Sequence, residues 1–131
     1  MRLAFVAALL PLPALAETVV APSGMGLTLH ETRVERHEGL GPTAAGAETW
    51  VRFRFLAPEI AEAGYAGVEA DFLPLCEEFA LPRIAALGTS ADVVILSIED
   101  RPVEFGTMDP EAVQVFESFR AGTGRCEWEL F

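Results

Sequence analysis

The chain has no lysine, a single tyrosine and only two cysteines in 131 residues. All nine basic residues are arginine, set against 20 acidic ones, and the formal net charge is −11. A basic footprint for phosphate contacts is missing, which argues against nucleic acid as a partner. An anionic membrane surface is disfavoured for the same reason. The lack of lysine fits a GC-rich coding bias and carries no function by itself. Beyond the first 16 residues no apolar run approaches the ~20 residues of a spanning helix. There is no C-x-x-C, no G-x-S-x-G, no glycine-rich phosphate loop, no Rossmann fingerprint and no haem motif. The standard signatures of redox, hydrolase and nucleotide sites are therefore absent.

What is present begins with an export signal. Arg2 supplies a positive start, Leu3 to Leu10 is an unbroken apolar run, Pro11 and Pro13 interrupt helix, and Ala14-Leu15-Ala16 offers small residues for cleavage. Residues 1–16 are expected to leave as a signal peptide, with no stable membrane insertion afterwards. No cysteine follows the cut, so a lipid anchor is not expected. The mature chain, residues 17–131, is then a single α+β domain of about 115 residues, periplasmic or secreted. Losing Arg2 moves its charge from −11 to −12. A hydrophobic content of 51% excludes a disordered acidic tail, and the acidity reads as solubility by self-repulsion.

Leu27 to Arg36 is a strand candidate after an extended lead-in over 17–26. Residues 38–47, with three glycines and a proline, form a loop. Thr49 to Leu56 is the clearest strand: Val51, Phe53 and Phe55 alternate with Trp50, Arg52 and Arg54. The two strands form a hairpin, across which Arg52 and Arg54 meet Glu31, Arg33 or Glu35. Residues 57–68 are irregular. A helix starts near Asp71 as N-cap and gathers Phe72, Leu75, Cys76 and Phe79 on one face. Pro82 breaks or kinks it, and Gly88 ends a second short piece. Asp92 to Ile98, containing VVILSI, is a strand covered on both faces. After a turn at 99–102, Val103 to Phe105 returns as a short strand. Asp109-Pro110-Glu111 starts a second helix, with Ala112, Val113, Phe116 and Phe119 on its apolar side. Cys126, Trp128 and Leu130 alternate with glutamates in a last strand. From Thr49 the order is β-α-β-β-α-β. This predicts an antiparallel sheet of four to five strands with two helices on one face, ferredoxin-like with an extra N-terminal strand.

In an exported chain the even pair Cys76 and Cys126 predicts a disulfide. His30 and His37 stand in a glutamate-rich strand. Residues seven apart point to opposite faces of such a strand, so no standard metal spacing arises. Acid pairs at Glu77-Glu78, Glu99-Asp100 and Glu127/Glu129 read as solvated faces, because sequence alone does not show two carboxylates facing each other. Asp100-Arg101-Pro102 is the most distinctive turn, with a local ion pair on Arg101.

Several motifs resemble a known family: Glu48-Thr49-Trp50 with Arg52-Phe53-Arg54-Phe55, Asp100-Arg101-Pro102-Val103 with Phe105-Gly106, Asp109-Pro110-Glu111-Ala112, Phe116-Glu117, Phe119-Arg120, and Cys126-Glu127-Trp128-Glu129. The family is a set of small exported proteins of unknown function from Rhodobacter-like alphaproteobacteria, and the resemblance covers roughly residues 48–131. It implies an exported single domain and carries over no catalytic residue. Some relatives bear the label acetolactate synthase. Such an enzyme needs a far longer chain, a thiamine diphosphate site and a cytoplasmic address, so this sequence gives the label no support. The regulatory subunit of that enzyme does use a β-α-β-β-α-β domain, but this is a likeness of fold alone, and fold does not fix function.

The expected function is a non-enzymatic binding or protein-interaction module, its contact surface formed by Trp50, Arg52 and Arg54 with the 38–47 loop, and by Arg101. It implies no cofactor; the partner is a periplasmic protein or a small ligand. The alternative is a small hydrolase or metal-dependent enzyme using His30 or His37 with nearby carboxylates. A third reading is a small-molecule-binding regulatory domain.

Overall fold

A computed structural model describes residues 3, 4, 7, 16–38 and 46–129. The export segment therefore lies almost wholly outside the described residues, as does most of the 38–47 loop.

The chain forms a mixed α+β fold around a six-stranded sheet whose spatial order is its chain order. The strands are β1 (Thr18–Val20), β2 (Gly26–His37), β3 (Glu48–Leu56), β4 (Val93–Glu99), β5 (Gln114–Arg120) and β6 (Glu127–Trp128). Neighbours are antiparallel except β3 and β4, which run parallel, Phe53 beside Leu96. A parallel pair needs a crossover. Residues 57–92 supply it on one face: α1 (Ile60–Ala63), two 3₁₀ turns, α2 (Phe72–Pro74), a π-helical stretch Leu75–Ala80, and α3 (Leu81–Ala86).

The period-2 pattern of β3 decides where the core sits. Val51, Phe53 and Phe55 point under the helices and are fully buried with Phe72, Leu96, Ile98 and Phe119. The ring of Phe79 meets Phe53 and Phe55 edge-on, with centroids 5.6 and 5.5 Å away. Cys76 and Cys126 are brought to disulfide distance, S–S 2.08 Å with Cα atoms 6.2 Å apart, joining the π-helical stretch to the start of β6.

Several expectations are corrected. The sheet has six strands rather than four or five, and it is not wholly antiparallel. The ferredoxin-like arrangement does not form, because β3 and β4 are direct neighbours with no strand between them. The second helix is absent. The Asp109 carboxylate accepts the Glu111 N–H, and Ala112 N–H closes a turn on Asp109 O. The chain then enters β5, which pairs with β4 along its whole length. The apolar residues at 112, 113, 116 and 119 fit a helical period, yet Val115 and Phe119 also fit a strand. The buried backbone of β4 needs a second partner, and that decides between them. Val103 to Phe105 is a loop, not a strand. Asp71 is no side-chain cap: its carboxylate accepts the N–H and O–H of Ser23, tying the turn after β1 to the crossover. Pro82 does not break the helical path, since it falls in the first turn of α3 directly after the wider π-helical stretch. Gly88 ends the path at φ 72°, as expected.

Tyr65, the one tyrosine, donates from its hydroxyl to Glu117 on β5. That carboxylate, helped by burial, pushes the phenol up to about 12. Ultraviolet titration of phenolate should therefore show one transition with its midpoint near pH 12. Glu117→Gln should move it back toward 10; a wild-type midpoint already near 10 contradicts the contact.

Candidate functional site

Among the described residues the other face of the sheet carries no helix. On it stand Glu31, Arg33 and Glu35 of β2, Trp50, Arg52 and Arg54 of β3, Ser97 and Glu99 of β4, and Gln114 of β5. The register that aligns Glu31 with Arg54, Arg54 with Ser97 and Glu99 with Gln114 places them there. Such a face would be solvated, but the loop 100–113 folds back across it. Gly106 at φ 83° lets the chain turn between Glu104 and Thr107, whose N–H bonds Glu104 O. The turn sets Phe105 above the arginines: its centroid lies 3.9 Å from Arg33 Cζ, 5.0 Å from Arg52 Cζ and 5.6 Å from Arg54 Cζ. A ring face over guanidinium is favourable, more so where water is excluded.

Beneath the loop Arg54 is 3% exposed and Glu99 is fully buried. The Arg54 guanidinium bonds Glu99 Oε1 through Nε (3.0 Å) and Nη2 (2.7 Å), Glu31 through Nη1 (2.5 Å), and the carbonyl of Val103 through Nη2 (2.5 Å). Gln114 reaches the same Glu99 oxygen at 3.4 Å. Glu99 Oε2 and Ser97 Oγ are buried and have no partner among the described residues. Ser97 is 2% exposed and forms part of the wall of a cavity of about 190 Å³, with Arg52, Arg54, Phe105 and Gln114 around it. A wider groove on the other side of Phe105 is bordered by His30, Glu31 and Arg33.

Along the rim, Glu35 holds Arg52 Nε at 2.8 Å and His37 Nε2 at 3.0 Å. Burial pushes the Glu35 carboxyl up, but these two bonds outweigh it and hold it below the usual carboxylate value. The hydrogen bond from Arg33 lowers Glu31 in the same sense; burial opposes this and Arg54 adds to it. Trp50 is half-buried and stacks on His37 with centroids 3.8 Å apart.

A family of unknown function, DUF6497, matches residues 5–131. The chain belongs to that family. No curated protein and no solved structure matches it. The DUF6497 match runs well beyond the 48–131 span of the resembling motifs, and it too leaves function open.

Of the four contact residues expected for this DUF6497 chain, Trp50, Arg52 and Arg54 lie together on the roofed face, with both arginines ion-paired inside the chain. Arg101 does not join them. It is exposed at the start of the loop and pairs with its neighbour Asp100 at 3.1 Å. That bond, more than the Val113 N–H, lowers the Asp100 carboxyl. His30 and His37 sit at opposite ends of a strand stretch about 20 Å long. Among the described residues no three His, Cys, Asp or Glu side chains converge as a metal site needs. Sequence reasoning missed Ser97, took the fully buried Glu99 for a solvated acid, and missed Phe105. The signal for the first two was there: polar residues two apart in an otherwise apolar strand, hence on the same face.

Proposed function

We propose that this chain is an exported binding module, cleaved after Ala16, and that the face roofed by Phe105 receives a small hydrogen-bond-donating group of a ligand or partner protein. Export is supported by the charge, apolar run and small-residue end of residues 1–16. A mass for periplasmic protein that begins at Glu17 agrees with it; a retained residue 1 overturns it.

The binding reading is carried by the Ser97 hydroxyl, which is buried just behind the cavity wall and has no partner among the described residues. A buried polar group without a partner costs about 1–3 kcal/mol, so a partner from outside the chain is favoured there. The cavity has room for roughly six waters or a group of that size. Donors from outside are preferred over acceptors. The Arg54 donors are already used on Glu99, Glu31 and Val103 O. The carboxylate of Glu104 borders the opening, and the whole chain is strongly acidic.

Methylammonium is a fitting probe and acetate its counterpart. Titrated into ¹⁵N-labelled protein, methylammonium should shift the amides of Ser97 and residues 103–107 in a saturable way, while acetate should not. Shifts spread evenly over the surface, or a response to acetate alone, overturn the reading.

A further inference from the structure

Among the described residues the outer edge of β2 is open over most of its length. β1 covers only Gly26 to Thr28, with one further bond from Leu29 N–H to Glu17 O. Among the described residues no strand pairs with the outer side of 31–37. Which main-chain groups face outward follows from the bulge between Leu29 and Glu31. Leu29 turns its N–H outward, and the extra residue of the bulge shifts the alternation by one. Thr32, Val34 and Arg36 therefore present their N–H and C=O groups to the open side. At the middle of this run Val34 is 57% exposed, an apolar β-branched residue on an otherwise charged edge.

Charged edges normally resist strand addition. Here the charges are ordered about Val34 so that one pairing is spared. We propose that two copies of this chain pair antiparallel through β2, with Val34 on the two-fold axis, to form one continuous sheet. In that register Val34 meets Val34 and Thr32 meets Arg36 as hydrogen-bonded pairs, about six main-chain bonds in all. Between them, at the closer non-hydrogen-bonded positions, Arg33 faces Glu35 of the other copy and Glu31 faces His37, on the roofed side of the sheet. Arg33 Nε, buried and without a hydrogen bond among the described residues, gains a carboxylate opposite it. Sliding by two residues one way sets Arg33 against Arg33 and Glu31 against Glu35. Sliding the other way sets Glu35 against Glu35. Parallel pairing in register places every charge against its like. The edge is also locally balanced, two glutamates against two arginines over 31–36, on a chain of net charge −11. The isologous pairing is self-complementary, as a two-fold interface requires.

The full mature chain tests this by sedimentation or light scattering over a concentration series. Wild type should dimerise. Val34→Lys puts two cations on the axis at an exposed position and should weaken the dimer at least tenfold. Arg33→Glu leaves Glu against Glu and should be monomeric; Glu35→Arg leaves Arg against Arg and should be monomeric too. Mixed together, these two variants restore opposite charges at both positions and should form a heterodimer. That result also shows both are folded. A monomeric wild type at millimolar concentration overturns the proposal. So do variants that dimerise like wild type, or a mixture that stays monomeric while wild type is dimeric.

Discussion

Arg54→Ala is expected to cost about 3–5 kcal/mol of stability, read as a drop in the urea midpoint at neutral pH. The guanidinium is the sole cation bonded to Glu99 among the described residues, and Glu99 is fully buried. Removing it leaves a buried carboxylate without its counter-ion. It also frees the Val103 carbonyl, which holds the loop 100–113 down. The cost comes from the orphaned partner rather than from the pair's own worth. A double replacement, Arg54→Met with Glu99→Met, removes both charges at similar volume and should recover most of the loss. A cost for Arg54→Ala under about 1 kcal/mol contradicts a buried Arg54–Glu99 network.

The second large effect concerns Cys76 and Cys126. They stand 50 residues apart in sequence, and a loop of that size gives about 4 kcal/mol in the chain-entropy model. Reduction, or a Cys76→Ala and Cys126→Ala pair, should lower stability by about 2–4 kcal/mol. The damage should centre on β6, which is only two residues long and pairs with β5 at Phe119 and Arg120. Trp128 packs on Phe119 with centroids 4.6 Å apart, so its fluorescence reports the loosening. Oxidised protein should give no reaction with a thiol reagent before denaturation and reduction. Two reactive thiols in native protein contradict the bond.

Legibility in the sequence followed the range of the forces involved. The β2–β3 hairpin could be read because alternation in Val51-Arg52-Phe53-Arg54-Phe55 is a local pattern, and so could the helix stop at Gly88. The cysteine pairing followed from the count, since the chain has only two cysteines. β5 was misread because residues 112–119 satisfy two periods, and only the neighbouring strand β4 selects one. The parallel contact of β3 with β4 joins segments some 40 residues apart, which no local pattern encodes. The site failed for the same reason. Arg52 and Arg54 were visible as a charged face, but that face is roofed by a loop whose anchor is a main-chain carbonyl, Val103 O, with no signature in its side chain. Phe105 carries none either: an exposed phenylalanine after a proline turn becomes a lid only once three arginines lie beneath it.

On the roofed face, the buried Ser97 hydroxyl behind the cavity under Phe105 is proposed to take a donor group from outside the chain. The most direct test compares methylammonium affinity in wild type and in Ser97→Ala, followed at the amide of Phe105. Losing one hydrogen bond of about 1 kcal/mol should weaken binding roughly fivefold while the fold is kept. Equal affinity in the two proteins, or no saturable binding in either, would contradict the account.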